Sequence, residues 1–361
     1  MSGSADQLLV SGDLLRAQIL TILDAWGMHK PSARMTAEVM VDTDLSGIDS
    51  HGVSMLMMYD ALRRDGRLDL TAPPRVEREG GAFAVIAADH NLGHAAGALA
   101  MRTAIAKARA AGVGMCAVGG SNHFGALGYY ARLASSEGML AVVTTSTRTP
   151  TVAALGGTTP VLGTNPIAFS APRPGEDPLV VDMSTSVVAL NKVKAYALAG
   201  RRLPHGWVAD RIGSSISDAS TAHELLTSGG ATLAALGGAT VEGGGHKGFG
   251  LSIMVQVLSA ALVGGALPGE EGAFDDLGHF FLAIDPAVVA PGQDVPGNVE
   301  RILDAVQHEE PDVRIPGDPE REARGERGRL GIPLPAALVD HLQRICVDGG
   351  AAFLLSREPA L

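Results

Sequence analysis

The chain has 361 residues, 46% of them apolar and 19% charged, which describes a globular protein with more than one core and excludes a disordered chain. Its net charge of −11 and isoelectric point near 5.4 speak against nucleic acid or an acidic membrane surface as a partner. The cysteines, Cys116 and Cys346, are far apart and form neither a disulfide framework nor a metal spacing, so a reducing, cytoplasmic setting is expected.

The N-terminus, MSGSADQLLVSGDLLRAQIL, lacks a basic region, a long apolar core and a small-residue cleavage site, so no signal peptide is expected. Residues 11–26 place Leu14, Leu15, Ile19, Ile22 and Leu23 on one helical face, with Ser11 to cap the start and Gly27 to end it. A second helix is expected from Pro31-Ser32 to Leu45, with Pro31 suited to its first turn, and it delivers Ser50 and His51 at its end. Between Gly66 and Asp89 the pattern turns strand-like, as in FAVIAAD, and the alanine-rich stretch GHAAGALAMRTAIAKARAAG reads as a helix stopped by Gly112.

Short β-type runs follow at 113–118, 139–146, 166–172 and 178–184, then a helix over 187–200. The segment Phe249 to Leu267 approaches the length of a membrane span, but Ser252, Gln256, Ser259 and the lack of a flanking basic cluster favour a buried helix. A strand at 279–285 precedes a segment, 286–331, rich in proline and charge, whose part 308–331 reads as an extended surface crossing. A last amphipathic helix uses Leu334, Leu338, Leu342 and Ile345. This alternation predicts an α/β protein with a small helical unit at the N-terminus.

Several large enzyme classes lack their signatures here. There is no G-x-G-x-x-G between strand and helix, no G-x-x-x-x-G-K-[ST], no H-E-x-x-H and no paired C-x-x-C, so a metal site has little support. What remains is a set of polar islands: SHG (50–52), SNHFGALGYY (121–130), GTNPIAF (163–169) with VVDMSTS (180–186), and GGGHKGFG (243–250). Each lies at an element end, where binding groups tend to sit. GGGHKGFG opens a helix with free N–H groups and the charge of Lys247, which suits a phosphate, although a glycine turn that only packs a helix closely has the same look. VVDMSTS offers hydroxyls and a carboxylate for a ribose or a pyrophosphate, or simply a helix cap by Ser184 or Ser186. His51 and His123 are the candidates for acid–base work, and His94 and His279 lack a comparable setting.

Read in order, SHG with Tyr59, SNHFGALGYYA, GTNPIAFSAP, DMSTS, GGHKGFGLSIMVQVLSAAL, GHFFLAIDP and IPGDPE resemble the malate/L-lactate dehydrogenase family, over residues 10–335. The resemblance implies a non-Rossmann NAD(P)-binding fold with a mixed sheet, usually a homodimer, and hydride transfer between nicotinamide and a 2-oxo acid, 2-hydroxy acid or cyclic imino acid. NAD and NADP stay equally open. It implies a helical unit of 1–60 packing with 300–361, a central α/β substrate and dimer domain of 61–125 with 225–299, and a cofactor-binding domain of 126–224.

Carried over by motif, the cofactor contacts are Asp182, Met183, Ser184, Thr185, Ser186, His246, Lys247, Gly248, Gly317 and Asp318. The proton-transfer group is His123 or His51, and Ser50, Tyr59, Thr147 and Asn165 are expected at the substrate.

One departure stands out: the family pattern SHG-x-x-R places an arginine where this chain has Met55. Either the substrate presents an apolar group there, as for a cyclic imino acid or a bulkier, less acidic carbonyl that Met55, Met57 and Met58 would permit, or another cation grips its carboxylate, for which Arg148 in TTSTRTP is the candidate. A cofactor-binding paralogue without turnover is the non-enzymatic alternative.

Overall fold

The computed structural model describes residues 7–198, 200–310 and 312–355. Its centre is a seven-stranded mixed sheet. In spatial order the strands are Arg75–Glu79, Phe83–Ala87, Val113–Ser121, Leu277–Ile284, Leu140–Thr145, Ile167–Ala171 and Leu179–Met183. The strand Leu277–Ile284 runs antiparallel to both neighbours, so that Phe281 faces Cys116 on one side and Val143 on the other. Within this sheet, among the described residues, only the pair Phe83–Ala87 and Val113–Ser121 is parallel, and the helix Gly93–Ala111 makes the crossover between them.

The alanines of that helix let it lie almost on the sheet. A Cβ built on Gly114 would come within 2.0 Å of the Ala104 carbonyl oxygen, so the strand needs glycine where the helix backbone crosses it. Ala96, Ala100, Ala104 and Ala108 join Phe124, Tyr130 and Phe281 in the central core.

A second core belongs to the N-terminal helices. Gly12–Ala25 is capped by Ser11, and Lys30–Leu45 begins with Pro31 in its first turn. These pack with Leu56–Arg64 and with the C-terminal helix Ala336–Gly349, and a strand pair, Gln7–Val10 against Ile332–Pro335, closes the unit. A third core holds Val152, Val193, Val208, Leu226 and Leu233 around a four-stranded sheet. Residues 126–224 contribute to both the central and the third core.

Two expectations fail. The charged segment 308–331 is not an extended crossing: Asp318–Leu330 is a helix, and Val295–Glu309 precedes it. Its proline sits in the first turn, where the missing N–H costs nothing, and its charges pair along the surface, Arg314 with Glu322 and Arg321 with Asp318. The apolar helix Gly245–Ser259 is not buried all round. It turns Gly248, Ser252, Gln256 and Ser259 inward and leaves Ile253, Met254 and Val257 exposed. With the short turn that follows, Gly245–Val263 is long and apolar enough to cross a membrane by length and composition alone, and 33% of that window is buried. Inside, Val255 is buried as well, and Ser259 Oγ meets Thr144 Oγ1 at 2.7 Å.

Substituting Gly114→Ala is expected to lower stability by about 2 kcal/mol or more, because backbone rather than a movable side chain blocks the new methyl group. A denaturant midpoint within error of wild type would contradict this packing.

Candidate functional site

His51 is placed by a tight turn after the helix Lys30–Leu45. The Asp44 carboxylate fills the space over Gly52: a Cβ there would lie 1.9 Å from Asp44 Oδ1. The same carboxylate accepts the Val53 N–H at 2.8 Å and so starts the next helical turn. The glycine of SHG is therefore the space that a buried acid needs. Ser50 Oγ lies 2.8 Å from His51 Nδ1, and the Ser50 carbonyl accepts from Asn191 Nδ2 at 3.2 Å.

His123 follows the strand Val113–Ser121. Its main-chain N–H is held by Asn122 Oδ1 at 2.9 Å, and its Nδ1 lies 2.6 Å from the Tyr59 hydroxyl. Gly125 N–H approaches the same nitrogen at 3.4 Å. The His51 and His123 rings stack with centroids 5.5 Å apart. Behind them His94 is fully buried, edge-on to Tyr59 at 5.8 Å. His279, also buried, is bonded by Thr145 Oγ1 at 2.6 Å and Ser121 Oγ at 2.8 Å.

Burial holds His51 below the ordinary histidine range and pushes His94 and His279 down to about 3. His123 lies well below its ordinary value, through burial first and then the three neighbouring imidazoles. Burial raises the Tyr59 phenol, so its hydroxyl keeps its proton.

Ser50, His51, His123, Thr147, Arg148 and Ser184 line a cavity of about 710 Å³. A second cavity, of about 400 Å³, reaches Gly317 at the start of the helix Asp318–Leu330, with Arg132 and Arg324 on its wall. Ile48, Ala126, Asp182, Met183 and Glu320 line both, so the two form one groove.

Several expected residues stand elsewhere. Tyr59 is 0% exposed and reaches the cavity only through His123. Asn165 is buried and fastens the helix Gly245–Ser259 by bonds to Ser252 O and Gln256 Oε1, both 3.0 Å. Thr185 and Ser186 are buried, their hydroxyls bonded to the Asn165 and Val188 carbonyls. Asp318 accepts from Ile315 N at 3.0 Å and pairs with Arg321, without lining either cavity. His246 and Lys247 are exposed, and Gly248 packs on Leu236. None of these three lines the groove, and Gly248 gives the close approach of this helix to Leu236.

Met55 and Met57 pack against the N-terminal core, and only Met58 of the methionine run reaches the cavity. The chain pattern did not single out Leu62, Arg67, Asn122, Lys192 and Asp275, which also line it. It also passed over His94 and His279. Sequence spacing carries no sign that either ring lies beside His123.

With this geometry in view, comparison with known proteins is direct. The profile of the family described as malate/L-lactate dehydrogenase matches residues 10–343. A (2R)-3-sulfolactate dehydrogenase (NADP(+)) of Chromohalobacter salexigens is 36% identical over 344 residues, covering 93% of this chain and 98% of that protein. The crystal structure of malate dehydrogenase from Entamoeba histolytica superposes with a TM-score of 0.91 at 29% identity, covering 96% of this chain and 99% of that one. That of delta1-piperideine-2-carboxylate reductase from Pseudomonas syringae pvar. tomato gives 0.83 at 32% identity, covering 93% and 99%. The chain belongs to the malate/L-lactate dehydrogenase family. It is an oxidoreductase of the kind that acts on CH–OH or C=N groups.

The buried acid gives a stability prediction. Burial pushes the Asp44 carboxyl up to about 8, so folding favours its protonated form. Its contribution is complete below the unfolded carboxylate value and is lost as pH rises through about 8. Asp44→Asn keeps the acceptor for Val53 without the charge. Wild type is expected to lose about 1–3 kcal/mol between pH 6 and 9 that the variant retains. Parallel pH profiles of unfolding would contradict a buried, proton-binding Asp44.

Proposed function

We propose that the chain is an NAD(P)-dependent oxidoreductase that transfers a hydride between nicotinamide and a small 2-oxo or 2-hydroxy acid. One observation carries this reading: His123 is pinned at Nδ1 by a buried tyrosine, which leaves Nε2 as the nitrogen available to a substrate in the 710 Å³ cavity. The phenol can donate to a bare Nδ1 or accept from Nδ1–H, so it follows the imidazole through either protonation state. His51 lies beside it as the second titratable ring.

The groove fits an extended dinucleotide. Ile48, Ala126 and Met183 give it apolar walls, while Gly317, at φ +99°, lets the backbone turn closely against Val180 where the helix Asp318–Leu330 begins. Asp182, Met183, Ser184 and Gly317 are the expected contacts that line it, with Arg132 and Arg324 suited to phosphate oxygens. The cofactor supplies or accepts the hydride. The protein supplies the proton: in reduction His123 Nε2–H gives it to the oxygen of the new alkoxide, and in oxidation Nε2 takes it from the hydroxyl.

A second reading, reduction of a cyclic imino acid, is supported by the apolar wall of Met58 and Leu62 and by the likeness to the piperideine-2-carboxylate reductase. The assembly in this reading is a homodimer in which a second copy covers Ile253, Met254 and Val257.

Absorbance assays of 2-oxo acids and cyclic imines with NADH and with NADPH test both readings and decide the cofactor. Fluorescence titration that detects binding of neither cofactor would end them, and binding without turnover would mark a non-catalytic paralogue. His123→Gln is expected to lower kcat by about 10²–10⁴-fold, and Tyr59→Phe by about tenfold or more with a smaller change in KM. At saturating cofactor, kcat/KM for reduction should keep rising as pH falls through 6.5. His123, held well below that value, is still gaining protons there. For the same reason oxidation should stay flat over that range. A plateau of the reduction rate beginning at pH 6.5 would show a histidine with an ordinary pKa.

A further inference from the structure

Behind His123 and Tyr59 stands a third ring, His94, which lines neither the large cavity nor the groove beside it. It is the second residue of the helix Gly93–Ala111, whose first N–H, on Gly93, bonds the His123 carbonyl at 3.0 Å. The ring is 0% exposed, yet neither Nδ1 nor Nε2 has a hydrogen-bond partner. It meets the Tyr59 ring at 81°, with centroids 5.8 Å apart. Gly125 lies on another side: a Cβ there would come within 3.5 Å of His94 Nε2, and the Gly125 N–H approaches His123 Nδ1 at 3.4 Å. Burial pushes His94 down to about 3, so the ring is neutral and one of its nitrogens is a bare acceptor. Buried polar atoms are nearly always bonded, so two open ones on one ring beside a proton-transfer site need an explanation.

The positions of the protons supply one. While His123 is neutral with Nδ1 bare, the Tyr59 hydroxyl and the Gly125 N–H can both donate to that nitrogen. The states that exchange a proton with a substrate are different. To give one from Nε2 and end neutral, His123 starts as the imidazolium. To take one at Nε2, it carries its single proton on Nδ1. In both states Nδ1–H donates and the Tyr59 oxygen accepts, so the phenol proton loses its acceptor. Tyr59 is 0% exposed, out of reach of bulk water, and burial raises the phenol so that it keeps this proton. The ring with an open acceptor beside it is His94, and no hydrogen bond restrains that ring from turning toward the hydroxyl. The other imidazoles are committed: His279 is bonded at both nitrogens, and His51 Nδ1 is bonded to Ser50.

We propose that His94 is a positioning residue that accepts the Tyr59 O–H whenever His123 carries a proton on Nδ1. It thereby holds the His123–Tyr59 pair in the arrangement that frees Nε2 to exchange a proton with the substrate. This deepens the oxidoreductase reading and rests on it for turnover, though not for the hydrogen bond. The phenol proton stays on its oxygen and only changes acceptor, from His123 Nδ1 to a His94 nitrogen.

The test measures kcat and KM for His94→Leu and His94→Gln, each alone and combined with Tyr59→Phe. The substrate is pyruvate, oxaloacetate or piperideine-2-carboxylate, whichever wild type reduces fastest. Leucine removes the acceptor, and glutamine returns one through its carbonyl oxygen. His94→Leu should lower kcat by about fivefold or more with KM within about twofold, and His94→Gln should recover most of that loss. Combined with Tyr59→Phe, which has no hydroxyl proton to place, His94→Leu should cost nothing further. An equal loss with and without the Tyr59 hydroxyl, or a loss that glutamine shares, overturns the proposal and leaves His94 as a ring that fills space.

Should His94→Leu fail to fold, the 15N resonances of the His94 and His123 rings decide, followed together in wild type and Tyr59→Phe from about pH 8 to about pH 4. As His123 Nδ1 gains its proton, one His94 nitrogen should shift in wild type and stay in place in Tyr59→Phe. A His94 ring that does not respond, that responds alike in both proteins, or a His123 Nδ1 that never carries a proton refutes the role. If wild type reduces none of the three substrates, the oxidoreductase reading fails, and the same resonances judge His94 alone.

Discussion

The site depends on the hydrogen bond between Tyr59 and His123 Nδ1, because it joins two separate cores. Tyr59 belongs to the N-terminal helical core, and His123 to the loop that leaves the central sheet. Neither element alone gives a ring in one orientation. At 2.6 Å, and with both partners enclosed, the bond is short and shielded, and leaving either group unmade in that setting costs about 1–3 kcal/mol. The same enclosure depresses the imidazoles, since a charged ring would stand among His51, His94 and His279 without a carboxylate in contact. Geometry and proton affinity thus have one cause: the helical unit is pressed over the end of the sheet.

Much of the fold was legible because its elements carry local signals. Ser11 caps a helix that stops at Gly27, the alanine run ends at a left-handed Gly112, and the apolar β-type runs fall on strands of the large sheet. The segment 308–331 misled for a physical reason. Its helix buries no residue, so it has no apolar stripe to reveal its period, and pairs such as Arg321 with Asp318 stabilise it instead. The helix Gly245–Ser259 misled in the opposite sense. Its serines, glutamine and missing basic flank suggested a buried helix, yet only one face is turned inward. There Val255 is buried beside glycine, serine and glutamine fitted to Leu236, Thr144 and Asn165.

Within the site, motifs located His51, His123 and Arg148, but contact with the cavity is a matter of direction that motifs do not encode. Asn165 and Thr185 lie in the right islands, and their polar atoms are used to hold one loop to another. Such residues shape the groove without lining it. Arg67 and Asp275 had no motif because they are distant in sequence and meet only through the fold.

That meeting alters the meaning of Met55. On sequence alone, a methionine at the family's arginine position pointed to a substrate without a carboxylate, or to a substitute cation. In the structure the Met55 side chain packs against the N-terminal core, so its apolar character adds to Leu56 and Tyr59 in that core more than to the cavity. Position 55 itself does not line the cavity, while Arg67, which follows the helix Leu56–Arg64, does. Held by Asp275 instead of being free in solvent, the Arg67 side chain is already ordered within the cavity wall.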